Sequence, residues 1–340
     1  MMRRKLSTLF AVIITIVALY FSFRDTDGRA LMKYILEGRY IYMLPAFICL
    51  ILYCYLRALR WGFFFEKKID AGLLWRVTMV GLMANSIFPA RAGEFLKAYI
   101  LGKRSAISKS ACLATVVLER LWDGVTLLFF IVWIFLWMSI GGNPGVLKGS
   151  DLSLIKYAAF VSAVVYLGII LGVILWKVNS RKMIDFIHNF TARFSPGLAV
   201  YISDRLRAFN EGFSAFRNWR SLIIITFYSF LIWISAVLTL YFMFKVFSFN
   251  IPYIGSFVLV IIIALFVIIP SVGTLGTMQM AFVLGLGIYG IDKTEALSFS
   301  FVYQFFDTAP VVAIGLYYFF KDGITFDQVK KIKEEYLWIK

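Results

Sequence analysis

Ionisable side chains inside apolar stretches mark three places in this 340-residue sequence. The first surrounds a proline and glycine interruption and comprises Asn85, Pro89, Arg91, Gly93, Glu94 and Lys97. In the second, Glu119 and Asp123 are one helical turn apart, with Arg120 between them. The third is Asp307, followed three residues later by Pro310. Because an ionisable group in a membrane-spanning helix costs about 2.5–3.5 kcal/mol on insertion scales, these residues are candidates for function.

The composition is that of a membrane protein. Hydrophobic residues make up 61% of the chain and charged residues 16%, whereas a soluble domain is about 45–50% apolar and about 25% charged. We therefore predict an all-α polytopic membrane protein. The single histidine, His188, lies in a polar stretch, which excludes a histidine-based metal cluster or a Ser/His/Asp triad in the membrane. We expect no metal, no cofactor and no nucleic-acid partner, because membrane topology accounts for the net charge of +16.

A membrane-spanning helix needs about 20 mostly apolar residues. Six stretches fit, at roughly 6–23, 40–57, 112–140, 152–176, 221–247 and 296–320. Two further apolar stretches, 72–101 and 256–290, are interrupted near the middle by proline and glycine, at 89–93 and at 270–276. The sequence thus predicts about six full spans and two broken helices.

Cations indicate which flanks are cytoplasmic. With Arg3–Lys5 placed inside, the segment 57–76, which includes Arg57 and Arg60, also lies inside, and 97–109 carries four cations and no acid. Both flanks of the first broken helix are then cytoplasmic, so we predict a re-entrant hairpin of two half-helices. The nearly charge-free flanks of the second hairpin place its entry outside. Both chain termini come out cytoplasmic.

The predicted elements repeat. Residues 1–145 and 146–320 each follow the order span, span, hairpin, span, which gives the halves opposite orientations, as in inverted-repeat transporters. We interpret 1–340 as a single integral membrane domain. The cation-rich segment 177–220 predicts a cytoplasmic helix that lies on anionic lipid or packs on the protein itself. The tail 321–340 predicts a charged, solvated helix.

The two interruptions predict a binding site halfway through the membrane. Half-helices that begin at about Glu94 and Thr277 would aim N-termini with unpaired amides at this depth, and such ends bind anions. The candidate ligand contacts are Asn85, Arg91, Gly93, Lys97, Arg120, Gly273, Thr274, Gly276, Thr277 and Gln279. The candidates for gating or coupling are Glu94, Glu119, Asp123 and Asp307, and those for hinges are Pro89, Pro270 and Pro310. An anionic headgroup could be held there while its acyl chains stay in lipid.

Structural roles are the alternative for each charged group. Glu94 could cap its own half-helix and pair with Arg91 or Lys97. The three charged residues of the second group could form an ion network that only holds helices together. Asp307 could satisfy backbone groups loosened by Pro310. The sequence leaves these alternatives open.

Three stretches, Asn85–Glu94, Ala114–Asp123 and Pro270–Thr277, resemble the flippase-like lysylphosphatidylglycerol synthase transmembrane family. This family includes the membrane half of the multiple peptide resistance factor and stand-alone relatives linked to hopanoid or archaeal glycolipid pathways. The resemblance follows nearly the whole chain in order. It implies lipid translocation, with a central cavity lined by the charged and polar residues of the first two stretches. Gln279 stands where the family usually has an acid, and without a following aminoacyl-transfer domain, lysine transfer is not expected.

We therefore expect a lipid flippase or scramblase, not an enzyme, in the plasma membrane of a bacterium or archaeon. Its substrate would be an anionic or headgroup-modified phospholipid or a polyprenyl-phosphate lipid, and its partners membrane lipids and either a second copy of the chain or a lipid-modifying enzyme. One alternative is a membrane-embedded glycosyl or lipid-modifying transferase, for which only Asp25-Thr26-Asp27 resembles a metal-nucleotide element. The other is a non-catalytic subunit that positions such an enzyme.

Overall fold

The computed structural model describes residues 2–24, 26–88, 92–140, 178–193, 195–211, 219–267, 269, 271 and 274–324, with isolated positions between 164 and 175. The described chain is helical. The helices are α1 (Met2–Phe23), α2 (Gly28–Leu36), α3 (Met43–Gly62, preceded by a 3-10 turn at Tyr40–Tyr42), α4 (Ala71–Ile87), α5 (Ala92–Arg104), α6 (Lys109–Ser139), α7 (residues 178–192), α8 (Pro196–Glu211), α9 (Trp219–Val246), α10 (Tyr253–Val267), α11 (Thr277–Gly287) and α12 (Lys293–Lys321).

Four helical stretches of the described chain are long and apolar enough to cross a membrane. They are Tyr40–Gly62, Lys109–Met138, Trp219–Val246 and Lys293–Lys321. Each contains most of a predicted span, and the first predicted span lies within α1. The chain is therefore a polytopic membrane protein, as predicted. The predicted span 152–176 falls largely outside the described residues, as does the predicted helix of the tail.

Side-chain caps fix where several helices begin. The carboxylates of Asp70 and Asp292 accept hydrogen bonds from the backbone amides of Leu73 and Thr294 at the starts of α4 and α12. In the same way, Asp27 caps α2 by accepting from the amide of Arg29 at 2.9 Å. The Asp-x-Asp pattern is thus in part a helix cap, and its other acid, Asp25, lies outside the described residues.

Both predicted interruptions are helix breaks. Phe88 ends α4 in an extended conformation, with ψ 141, because a residue before proline is disfavoured in the helical region. In the second break, Thr274 and Gly276 have φ of 61 and 81, which no helix tolerates. Re-entry of these segments from one membrane face, and the inverted orientation of the two halves, stay predictions.

The two helices of the first break pack side by side at very short range. A Cβ atom on Gly93 of α5 would lie 1.9 Å from the carbonyl oxygen of Gly81 on α4. The same helix α4 packs closely on α12, since a Cβ atom on Gly315 would lie 2.3 Å from the Cβ of Met83. α3 packs along α9, and α1 packs on α11. The broken helices are thus held between long helices of both halves of the chain.

The segment 177–220 contains two described helices, and the sequence predicted one. α8 packs against α6, and α7 contacts α8 through a 2.9 Å hydrogen bond between His188 Nδ1 and Ser203 Oγ. The predicted helix after Pro196–Gly197 is α8. Part of this segment therefore packs on the protein itself.

Candidate functional site

Both breaks border a single cavity of about 560 Å³. It is lined by residues of α3, α4, α5, α6, α9, α10, α11 and α12, most of them apolar. The polar lining consists of Tyr53, Arg57, Asn85, Ser86, Glu94, Arg120, Asp123, Trp233, Thr239, Thr274, Tyr303, Asp307 and Thr308. A cavity of this size among apolar helices, with a few convergent charged groups, is typical of a ligand site.

Asp123 on α6 is the centre of the ionic cluster. Its carboxylate lies 2.7 Å from Nη1 of Arg60 and 3.7 Å from Nη2 of Arg57, both on α3. Arg60 is fully buried, and its Nη1 also donates to Ser229 Oγ on α9 at 2.8 Å. Arg57 donates to the hydroxyl of Tyr53 at 2.7 Å. Two arginines of α3 therefore share one acid of α6.

Behind the cavity wall, Lys97 forms a buried ion pair with Glu119. The ammonium of Lys97 also lies 4.1 Å from the centre of the Trp61 ring, in a cation–π contact. Glu119 Oε1 lies 3.8 Å from Nη2 of Arg60, which links this pair to the cluster. Such a pair is stable only when both partners are present, because either charge alone would be buried without compensation.

At the cavity surface, Arg120 joins α6 to the first break. Its guanidinium pairs with Glu94 of α5 and lies 3.1 Å from Asp123. Asn85 of α4 donates to Glu94 at 3.4 Å and accepts from the backbone amide of Gly93 at 2.9 Å. The amide of Gly93, one of the first amides of α5, is thus satisfied by Asn85 and is not available to an anion.

Asp307 on α12 lines the same cavity but has different surroundings. No described residue forms a hydrogen bond or an ion pair with its carboxylate, although it shares the cavity with the described cations. The cluster contains four cations, Arg57, Arg60, Lys97 and Arg120, and three acids, Glu94, Glu119 and Asp123. With Asp307, the described residues of the cavity and its wall carry four cations and four acids, but Asp307 forms no ion pair with any of the described cations.

The second break is built from neutral groups. Gln279 accepts from the amide of Gly276 at 2.7 Å and donates to Gln304 Oε1 at 2.6 Å, and Gln304 reaches Thr274 Oγ1 at 3.4 Å. Ser271 and Thr277 share a hydrogen bond of 2.9 Å. The amide of Gly276, the residue that precedes α11, is therefore satisfied by Gln279.

The structure brings together six of the predicted site residues at the cavity: Asn85, Glu94, Arg120, Asp123, Thr274 and Asp307. Other described candidates, Gly93, Lys97, Glu119, Gly276, Thr277 and Gln279, do not line it. Pro310 lies inside α12, which continues through it. Pro89, Arg91, Pro270 and Gly273 lie outside the described residues. On the sequence alone, Arg91 or Lys97 could pair with Glu94. Among the described cations, Glu94 pairs with Arg120 and not with Lys97.

Arg57 and Arg60 were missed. The predicted span ends at 57, and the prediction counts both arginines among the cytoplasmic cations of 57–76, but α3 continues to Gly62 and buries both. The predicted end of this span is therefore wrong by five residues, and the membrane side of 57–76 stays a prediction. The signal that could have found them is helical spacing, because Arg57 follows Tyr53 by four residues and Arg60 follows Arg57 by three.

Comparison with known proteins shows similarity over most of the chain. The family model described as the lysylphosphatidylglycerol synthase TM region matches residues 8–315. Membrane proteins called UPF0104 are similar, at 23% identity in Methanocaldococcus jannaschii (78% of this chain, 80% of the relative) and 25% in Methanothermobacter thermautotrophicus (81% and 84%). The glycosyltransferase AglD of Haloferax volcanii is 28% identical over 37% of this chain and 22% of its own length. No solved structure matches.

Proposed function

Since the chain belongs to the family of the lysylphosphatidylglycerol synthase TM region, we propose that it moves a lipid between membrane leaflets. The substrate is an anionic or headgroup-modified phospholipid or a polyprenyl-phosphate lipid. The protein acts as a transporter, not as an enzyme, in the plasma membrane of a bacterium or archaeon. The observation that carries this proposal is a cavity lined both by the charged side chains of Arg57, Arg120 and Asp123 and by many apolar residues.

Arg57 and Arg120 are the phosphate ligands in this proposal. Both line the cavity, and the Arg120 side chain is one-third exposed. Arginine presents a fork of donors that fits the oxygens of a phosphate. Asp123 and Glu94 hold the two guanidinium groups in place, so a phosphate can bind without rearranging the helices.

Asp307 faces the rest of the headgroup. As an acid with no ion-pair partner among the described cations, it can attract a positive group of the ligand or exchange a proton during transport. Because the described cations and acids of the site are equal in number, it suits a phosphate accompanied by a cationic group better than a lone anion. Among the candidates, the charges therefore favour a headgroup-modified phospholipid.

Alternating access needs one side of the cavity to be closed. The close contact of Met83 with Gly315 seals α4 against α12. At the end of this interface, Asp322 binds Arg104 at 2.7 Å and Arg76 at 3.5 Å. We assign these contacts to a closed gate of the transport cycle, with Glu94 and Asp123 as the acids that would respond when the ligand reaches Arg120.

The test is lipid translocation by the purified protein in liposomes. Fluorescent phosphatidylglycerol, aminoacyl-phosphatidylglycerol and polyprenyl phosphate are added to one leaflet, and the fraction that remains accessible to a membrane-impermeant quencher is followed. We expect the aminoacylated lipid to move fastest. If none of the three lipids redistributes faster than in protein-free liposomes, with or without a proton gradient, the proposal fails.

A matched pair of variants separates the site from general charge effects. Arg120→Gln should slow translocation about tenfold or more, since a charge-assisted hydrogen bond is worth about 1.5–3 kcal/mol and each 1.4 kcal/mol is tenfold. Lys33→Gln removes an exposed cation of α2 whose ion-pair partner among the described residues is Glu37, at 3.9 Å. It should leave the rate unchanged. Equal slowing in both variants would contradict the assignment of Arg120.

The similarity to a glycosyltransferase supports a second candidate, a membrane-embedded transferase. Incubating the liposomes with sugar nucleotides and a divalent metal, and analysing the lipids by mass spectrometry, distinguishes the two. Formation of a glycosylated lipid would favour the transferase, whereas redistribution of unmodified lipid favours transport.

A further inference from the structure

The outer face of α7 is apolar and exposed. Met183, Phe186 and Phe190 follow one another at spacings of three and four residues, which places them on the same helix face. Phe186 is 71% exposed and Phe190 52%, and their rings stack with centres 6.5 Å apart. The opposite face, with Ser180 and Ile184, is buried. The protein thus covers one side of α7, and no described residue covers the other.

Two cations, Lys182 and Arg193, flank this apolar face of α7. Lys182 precedes Phe186 by four residues and Arg193 follows Phe190 by three, so both share its side of the helix. The whole segment 177–220 has eight lysines and arginines against three acids. An aromatic stripe flanked by cations is typical of a helix that lies on an anionic membrane surface.

Both ends of the segment adjoin apolar helix. The positions Leu171 and Leu175 just before it are helical and exposed, as expected for lipid-facing residues. At its other end, Trp219 begins the membrane-spanning helix α9 and is exposed, and tryptophan is enriched at the membrane interface. The segment therefore starts and finishes at the same membrane surface, within reach of its headgroups.

We propose that the face of α7 formed by Met183, Phe186 and Phe190 docks on anionic phospholipid of the adjacent leaflet, held by Lys182 and Arg193. This answers the choice that the sequence left open for the segment: α8 packs on the protein, and α7 contacts lipid. The docking does not depend on the proposed transport.

The experiment measures the contacts of a fluorescent label on α7 in the full-length protein. With Cys49, Cys54 and Cys112 replaced by alanine, Phe190→Cys is labelled with bimane and reconstituted into nanodiscs with or without phosphatidylglycerol. A spin-labelled lipid reports lipid contact and iodide reports water. The matched control is Asp185→Cys, an exposed position about 100° around the helix from Phe186.

We expect the spin-labelled lipid to quench position 190 more than about twofold better than position 185, and the difference to shrink without phosphatidylglycerol or at high salt. Lys182→Glu combined with Arg193→Glu should abolish it while the melting temperature stays unchanged. Equal quenching at 185 and 190, or strong iodide quenching at 190, would overturn the proposal. So would protection from both quenchers together with a co-purifying protein, which would identify a protein interface.

Discussion

The two broken helices share one kind of hydrogen bond and differ in the chemistry around it. In each, an amide side chain accepts a hydrogen bond from a glycine amide at the start of the second helix, Asn85 for Gly93 at 2.9 Å and Gln279 for Gly276 at 2.7 Å. Around the first break, Arg120 and its neighbours form an ionic cluster. Around the second, the contacts are hydrogen bonds between neutral amides and hydroxyls.

This difference indicates what the charges are for. The second break contains no ionic groups, which shows that a helix of this protein can be interrupted without them. Burying charges is costly even when they are paired, and replacing a buried ion pair with apolar residues is often neutral or stabilising. The cluster beside the first break therefore requires a reason other than forming the break, and the proposed contact of Arg57 and Arg120 with a phosphate supplies one. We assign the second break a scaffolding role.

The largest effect on stability should come from Arg60→Ala. This change leaves Asp123 and Glu119 short of a buried partner, and removing one partner of a buried pair costs about 3–5 kcal/mol. Thermal unfolding in detergent would measure it. If Arg60→Ala lowers the free energy of unfolding no more than Gln279→Leu at the neutral break does, the ion pairs beside the first break do not stabilise the fold as proposed.

Gly93→Ala should follow, near the upper end of the range of about 1–3 kcal/mol for overpacking. The new methyl would meet the carbonyl of Gly81 at 1.9 Å and the Asn85 amide oxygen at 2.7 Å, so the two helices would have to separate. Gly287→Ala on α11 is the matched control, because its Cβ would meet nothing within 4 Å. Equal melting temperatures for the two variants would show that the close approach of α4 and α5 is not needed.

Hydropathy and the positions of proline and glycine were enough to predict the four long helices and both interruptions, because apolar helices and helix breaks depend on local residue types. The grouping of Glu119, Arg120 and Asp123 was also predictable from helical spacing, and the 3.1 Å contact between Arg120 and Asp123 confirms it. These features are encoded within one or two turns of the chain.

Partners from distant helices could not be predicted. An apolar run that stops at Arg57 looks like a membrane boundary, but α3 continues, and acids of α6 pair with the two arginines that it buries. Lys97 resembled a free cation for a ligand, yet Glu119, 22 residues later, neutralises it inside the wall. Likewise, the amides of Gly93 and Gly276 are satisfied by side chains, which reduces the anion-binding capacity expected of the two helix ends.

A double-mutant cycle would sharpen the account of the second break. Gln279→Leu removes the acceptor of the Gly276 amide and the donor to Gln304, and a buried group left without a partner costs about 1–3 kcal/mol. Gln304→Leu should cost a similar amount, and the double variant less than the sum, with a coupling of about 0.5–3 kcal/mol. Additive losses would show that the two amides do not act as one unit. Translocation should fall only in proportion to the loss of folded protein.

The smallest effect on stability should come from Asp307→Asn, because no described partner of its carboxylate is lost. We expect a change within about 0.5 kcal/mol, the range of substitutions that disturb no specific contact. Asp123→Asn is the matched control, since it leaves Arg57 and Arg60 without their shared acid and should cost several times more. Translocation of aminoacyl-phosphatidylglycerol should nevertheless fall in Asp307→Asn, because this acid faces the ligand and holds no helix. Unchanged translocation with unchanged stability would remove Asp307 from the site, and a large loss of stability would show that it has a structural role like that of Asp123.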